Sequence, residues 1–155
     1  YDLACAQNDS AILYQLVNEK PTIEKIAFEP DFTDKIHFVY LNKKQSSKSA
    51  IASYLDKQGD IGKTIKIIDS ITKTIIDATE PKEFALALHK HEIEMSNVLE
   101  LQTIQEALFD DFRGVIKSLG AWGGDFVLAI SKENPTEYFY NKGYKVVIPY
   151  KDMIL

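Results

Sequence analysis

The sequence predicts an α+β fold in which one antiparallel sheet is covered by helices. Three observations lead there. Short runs rich in β-branched and aromatic residues recur at 11–17, 35–41, 114–118, 126–131 and 144–150. Between the second and third of these, apolar residues recur at helical spacing over some forty positions, 60–99. A short glycine-rich link then joins 114–118 to 126–131. A link that short cannot hold a crossover, so those two strands are expected to be antiparallel neighbours.

Taken in order, residues 1–7 are Ala-rich and read as a loop running into a short helix. Asn8, Asp9 and Ser10 signal a turn. The run AILYQLV at 11–17 reads as a strand, and 22–28, with Ile23, Ile26 and Phe28 as its apolar members, is a candidate to pair with it. KIHFVYL at 35–41 is the stronger strand. After the polar loop 43–48, Ser46 or Ser47 can cap a helix over 48–57 that Gly59 ends. Asp60 opens a longer helix carrying Ile61, Ile65, Ile68, Ile71 and Ile75. Pro81 suits a first helical turn, and Phe84, Leu88, His91, Met95 and Val98 form a stripe that predicts a helix over 82–99. A further helix is expected at 103–109 and a short one at 135–141, stopped by Gly143, before the last strand. No internal repeat or low-complexity segment is found.

Composition excludes several classes. With 45% hydrophobic and 26% charged residues, the 155-residue chain can bury a core, as one domain or part of a larger protein. A net charge of -5 argues against nonspecific binding to nucleic acid or an anionic membrane surface. No apolar run reaches membrane-spanning length, and no signal segment opens the chain. The single cysteine, Cys5, cannot form an internal disulfide, so a reducing, cytoplasmic setting is expected. The first residue is Tyr1, so the chain is treated as a fragment or processed product whose missing motifs lie upstream.

The most informative segment is Lys117-Ser-Leu-Gly-Ala-Trp-Gly-Gly-Asp-Phe126. Gly120, Gly123 and Gly124 fall within five residues, between two strands. Glycines permit positive φ and a close approach of backbone to a bound group, and successive N–H groups can then converge on an anion. Lys117 and Ser118 flank the segment and could add a charge and a hydroxyl donor. A tight hairpin connection that needs glycine for geometry alone accounts for the same cluster. The segment is neither a Walker A loop nor a GxGxxG fingerprint.

Ser118-Leu-Gly-Ala-Trp-Gly-Gly-Asp-Phe126 resembles the third conserved motif of the GHMP family of small-molecule kinases, a Ser/Thr-Gly-Ala-Gly-Gly-Gly run between two late strands. It departs from that pattern at Leu119, at Trp122 where glycine is usual, and at Phe126 where a small residue or Cys is frequent. Trp122 sets a large side chain at the mouth of the implied site, which leaves substrate size open. Tyr1-Asp2-Leu3-Ala4 is similar to a Gly-Tyr-Asp-(Ile/Leu)-Ala signature carried by a GHMP subfamily close to the mevalonate and phosphomevalonate kinases. The strands, polar loop, helices and glycine loop that follow fit the family order along nearly the whole chain.

The resemblance implies a ferredoxin-like C-terminal domain at 43–155, preceded at 1–42 by the last strands of an N-terminal nucleotide- and substrate-binding domain. It implies an ATP- and Mg2+-dependent phosphotransferase acting on a small metabolite, with mevalonate or phosphomevalonate as the branch it leans toward. Asp2 is then the catalytic carboxylate, and Lys117, Ser118, Gly120, Ala121, Trp122, Gly123, Gly124 and Asp125 form the phosphate or substrate loop. The loop that cradles ATP is implied to lie upstream in the same protein, so this segment alone is expected to be inactive. A second copy of the chain is admitted as a partner. Two other readings stay open: a diphosphomevalonate-decarboxylase-like enzyme, and a noncatalytic ferredoxin-like binding module.

Other residues carry weaker signals. His89 and His91 at i, i+2 point to different sides of a helix, and the position that would complete a zincin pattern is Met95, so no metal site is expected. His91 lies on the apolar stripe and is expected in the core or facing the site. Lys43, Lys44 and Lys48 with Ser46 and Ser47 read as a solvated loop and cap, Asp110 and Asp111 equally as a turn or as metal-binding carboxylates, and Tyr138, Phe139 and Tyr140 as packing residues.

Overall fold

A computed structural model describes residues 1–43, 61–120, 122 and 124–154. The helix expected at 48–57, its caps Ser46 and Ser47, and Lys44, Lys48, Gly59 and Asp60 lie outside the described residues.

Helix α1 (Asp2–Ala6) leads to a hairpin of β1 (Ile12–Val17) and β2 (Lys20–Lys25). The two residues between the strands, Asn18 and Glu19, both have positive φ, 50° and 63°. That is the turn geometry whose twist matches a two-residue hairpin. The pairing is antiparallel, from Ile12 opposite Lys25 to Val17 opposite Lys20. The partner of β1 is thus the expected one, but it begins at Lys20 rather than Thr22. The hairpin is a sheet of its own, and Leu16, Val17 and Ile23 stay exposed on it.

The second sheet has four strands: β3 (Ile36–Tyr40), β4 (Gly114–Ser118), β5 (Phe126–Ser131) and β6 (Val147–Pro149). Their spatial order is β4-β5-β3-β6, and every neighbouring pair is antiparallel. β3 and β4 run the same way with β5 inserted between them, the split β-α-β arrangement of a ferredoxin-like fold. The expected adjacency of 114–118 and 126–131 holds, with Gly114 opposite Ser131 and Ser118 opposite Val127.

β3 is interior to the sheet and bonded on both edges by later strands. The physical reason is its composition. Ile36, His37, Phe38 and Val39 are all buried, which only a strand covered on both faces can achieve.

Both faces are covered. On one, Ile36, Phe38, Leu128 and Ile130 pack with Phe84 and Leu88 of α3 (Pro81–Leu99) and with Ala78 just beyond α2 (Ile61–Asp77). α2 packs on α3, and α3 lies against β4. On the other face, Val39, Ile116, Val127 and Ala129 meet Ile104 of α4 (Ile104–Leu108), then Phe109 and Phe112, and Phe139 of α5 (Thr136–Asn141). Phe109 and Phe139 meet edge-on at 5.3 Å, so the packing role expected of the 138–140 aromatics is realised by Phe139, which is fully buried.

Local chemistry starts and stops these helices. Pro81 occupies the first turn of α3. Thr103 and Glu106 form a reciprocal capping box on α4. Gly143, at φ 95°, ends α5, and the Tyr144 N–H donates back to the Phe139 carbonyl at 2.9 Å. The last strand is shorter than expected, because Tyr144 is drawn onto Phe109 at 5.3 Å and Tyr150 opens α6 (Tyr150–Met153). No helix among the described residues is long and apolar enough to cross a membrane.

Candidate functional site

The glycine segment leaves the end of β4 and returns into β5, and a buried carboxylate lies beneath its entry. Glu92, on α3, is only 1% exposed. It sits four residues after Leu88, so helical spacing aims it at the sheet, beside β4. Its Oε1 accepts from the Ser118 hydroxyl at 2.6 Å, and its Oε2 accepts from the Ser118 N–H at 3.2 Å. Lys117 Nζ stands 3.1 Å from the same Oε2. A carboxylate removed from water needs such partners, since an unpaired buried charge costs several kcal/mol on the general scale of about 3–5 kcal/mol.

Lys117 is held from three sides. Besides Glu92, its ammonium donates to the Ser118 carbonyl at 2.7 Å, and it lies 5.7 Å from the centre of the Trp122 ring. Two polar contacts and a ring face thus surround the ammonium. The side chains of Lys117 and Ser118 both turn to the buried Glu92 carboxylate.

The segment itself adopts backbone that favours glycine. Gly120 has φ 63°, and a Cβ built there would meet nothing within 4 Å. Its glycine is therefore needed for rotation, and the space beside it is open. Trp122, at φ 45°, is half-buried. The Leu119 N–H donates to the Phe126 carbonyl at 3.3 Å, closing the segment's neck, and the Leu41 N–H donates to the Asp125 carbonyl at 2.7 Å, tying its end to the chain after β3. Gly124 is buried and Asp125 exposed. Ala121 and Gly123 lie outside the described residues.

Two ring nitrogens beside this cluster are buried without a partner among the described residues: His91 Nδ1 and Trp122 Nε1. Burial, and then the neighbouring Lys117 charge, push the His91 pKa down to about 4, with Glu92 pulling the other way. His91 is therefore a neutral ring near pH 7, and it faces the site, one of the two placements its stripe position allowed. A water or ligand hydroxyl could satisfy the Trp122 donor or the His91 acceptor.

Asp2 lies apart from this cluster in the bonding pattern. It is exposed in the first turn of α1, and none of the hydrogen bonds or ion pairs described for the glycine segment involves it. Asp111 accepts from the Tyr138 hydroxyl at 2.6 Å and pairs with Lys142 at 2.9 Å, so it braces α5. Among the described residues no group of three or more His, Cys, Asp or Glu is placed to hold a metal ion.

Glu92 is the residue that sequence reasoning missed. Its signal was present: a charge placed i+4 from Leu88, within an apolar stripe, upstream of a strand ending in Lys-Ser.

No family model matches the chain, and no curated protein matches it in sequence. Solved structures do match in fold. The mevalonate kinase of L. major, solved in complex with R-mevalonate, is similar at a TM-score of 0.60 and 15% identity, over 88% of this chain and 47% of that one. The Lin0012 protein from Listeria innocua is similar at a TM-score of 0.58 and 19% identity, over 79% of this chain and 38% of that one. The chain thus spans less than half the length of either protein, and the likeness is one of fold.

Proposed function

We propose that this chain is the C-terminal portion of an ATP-dependent small-molecule kinase of the GHMP type, with mevalonate or phosphomevalonate as the acceptor class. The observation that carries the reading is the glycine segment. In a fold shared with a mevalonate kinase, it links two antiparallel strands, turns through positive φ over open space, and is anchored by a buried carboxylate.

In this reading ATP supplies the phosphoryl group, and an upstream part of the same protein cradles its phosphates. The residues present fit a supporting role toward that nucleotide: Gly120 leaves the space beside the backbone free, and the Trp122 indole N–H remains available as a donor. Among the described residues no cluster of three or more His, Cys, Asp or Glu forms a metal cage, and Mg2+ would be held largely by the nucleotide's phosphates. Asp2 would accept the proton of the acceptor hydroxyl or orient that hydroxyl. Phosphoryl transfer depends mostly on positioning and charge stabilisation, so a single carboxylate suffices on the acceptor side. Trp122 would border the acceptor and limit its size.

The test is a screen of the full-length protein with ATP, Mg2+ and a panel of mevalonate, phosphomevalonate, homoserine and simple sugars, read as ADP release. The expected result is release that depends on one acceptor. Absence of acceptor-dependent release across the panel would overturn the proposal.

A further inference from the structure

We propose that Glu92 is a positioning residue for the glycine segment, acting through Ser118 and Lys117 to set where Trp122 stands. The proposal rests on the kinase reading for its catalytic consequence, but not for its structural content.

The geometry gives Glu92 a reach that packing alone would not need. One carboxylate fixes a backbone amide, a hydroxyl and an ammonium at the point where β4 ends and the segment begins. The bond from the Ser118 N–H sets the backbone direction into Leu119 and Gly120. The ion pair holds Lys117 under the Trp122 ring, two residues past the positive-φ Gly120. Glu92 itself stands on α3, which is packed against the sheet, so the segment is referenced to a rigid element rather than to another loop. The far end of the segment is tied to the chain after β3 by the Asp125 carbonyl, which accepts from Leu41. Without Glu92, Lys117 loses the buried carboxylate that holds its ammonium beside Trp122.

A merely structural role would also make Glu92 matter to stability, so the experiment separates the two. Trp122 is the single tryptophan of these 155 residues, so the emission lost in a matched Trp122→Phe protein isolates the signal of this segment without any substrate. Glu92→Gln keeps the shape and removes the charge. The double variant Glu92→Gln/Lys117→Met removes both charges, which spares the protein an unpaired buried ammonium and is expected to recover most of the melting temperature. The full-length protein is used throughout. In Glu92→Gln, at a temperature where circular dichroism shows a native fold, the Trp122 emission maximum is expected to shift and acrylamide quenching to rise at least twofold. kcat should fall at least tenfold, with little change in KM for ATP. In the double variant, stability should return while the Trp122 signal and kcat remain altered.

Recovery of all three quantities together in the double variant would overturn the proposal, because stability alone would then explain the effect. So would a Glu92→Gln protein with lowered melting temperature but native Trp122 emission and native kcat per folded molecule. If the wild-type protein releases no ADP with any acceptor, the kinase reading falls. The fluorescence comparison still decides whether Glu92 holds the segment.

Discussion

Acid should destabilise this protein through His91 before most carboxylates titrate. Unfolded, the imidazole takes up a proton near 6.5; folded, burial and the Lys117 charge hold it down to about 4. Between those values the unfolded chain carries the proton and the folded chain does not. Stability that is fully present above 6.5 is therefore lost as pH falls toward 4. At about 1.4 kcal/mol per pH unit, the interval bounds the loss at about 3.4 kcal/mol. His91 is only partly buried, so solvent screening reduces this to about 1–2 kcal/mol. The perturbation is His91→Gln, which removes the titration. Urea unfolding of both proteins at about pH 7.5, 5.5 and 4.5 measures it. With a urea slope of about 2 kcal/mol per molar, the wild-type midpoint should fall about 0.5–1 M further than the variant's over that range. His37 is also buried and held low by burial, against a pull from Asp34, but it is common to both proteins and cancels in the difference. Parallel midpoint curves for the two proteins would refute the reasoning.

Two glycines should respond differently to alanine. At Gly114 a Cβ would stand 2.2 Å from the Ile130 carbonyl oxygen and 2.7 Å from Phe112, inside the β4–β5 ladder, so Gly114→Ala should cost about 2–3 kcal/mol. Gly120→Ala meets nothing and bears only the strain of positive φ, about 1 kcal/mol, so denaturation midpoints that rank the two variants the other way would contradict this account. On the proposed kinase reading, Asp2→Asn in the full-length protein should lower kcat by about 10²–10⁴-fold with ATP affinity nearly unchanged, and steady-state kinetics showing an unchanged kcat would leave Asp2 as an ordinary exposed first-turn residue.

What is legible in this sequence is local. β4 and β5 are readable because β-branched and aromatic runs end at glycines, and α3 because Pro81 and the 84-88-91-95-98 stripe agree. The partners of β3 are not readable. Its run of buried residues says that it is interior, but which strands flank it depends on pairing with residues around 130 and 149, far along the chain. The same limit hides the site. The glycines announce a special backbone, and Lys117 and Ser118 look like outward donors because nothing nearby in sequence competes for them. Their real partner is Glu92, which a helix on the sheet's flank delivers. The final strand is expected too long for a similar reason, since the pull of Phe109 on Tyr144 comes from another element.

The position of β3 has a consequence for how the molecule is made. Its residues leave the ribosome well before those of its partners, so Ile36 must wait for Ile130 and His37 for Pro149. At about 5–20 residues per second, roughly 6–20 seconds pass before the last edge of the central strand can close. During that time a segment that ends fully buried has neither neighbour, and its unpaired edges are open to other nascent chains. The yield of soluble protein should therefore depend on elements made late, β5 and β6. Lesions there would surface as aggregated product rather than as a folded protein with a local defect.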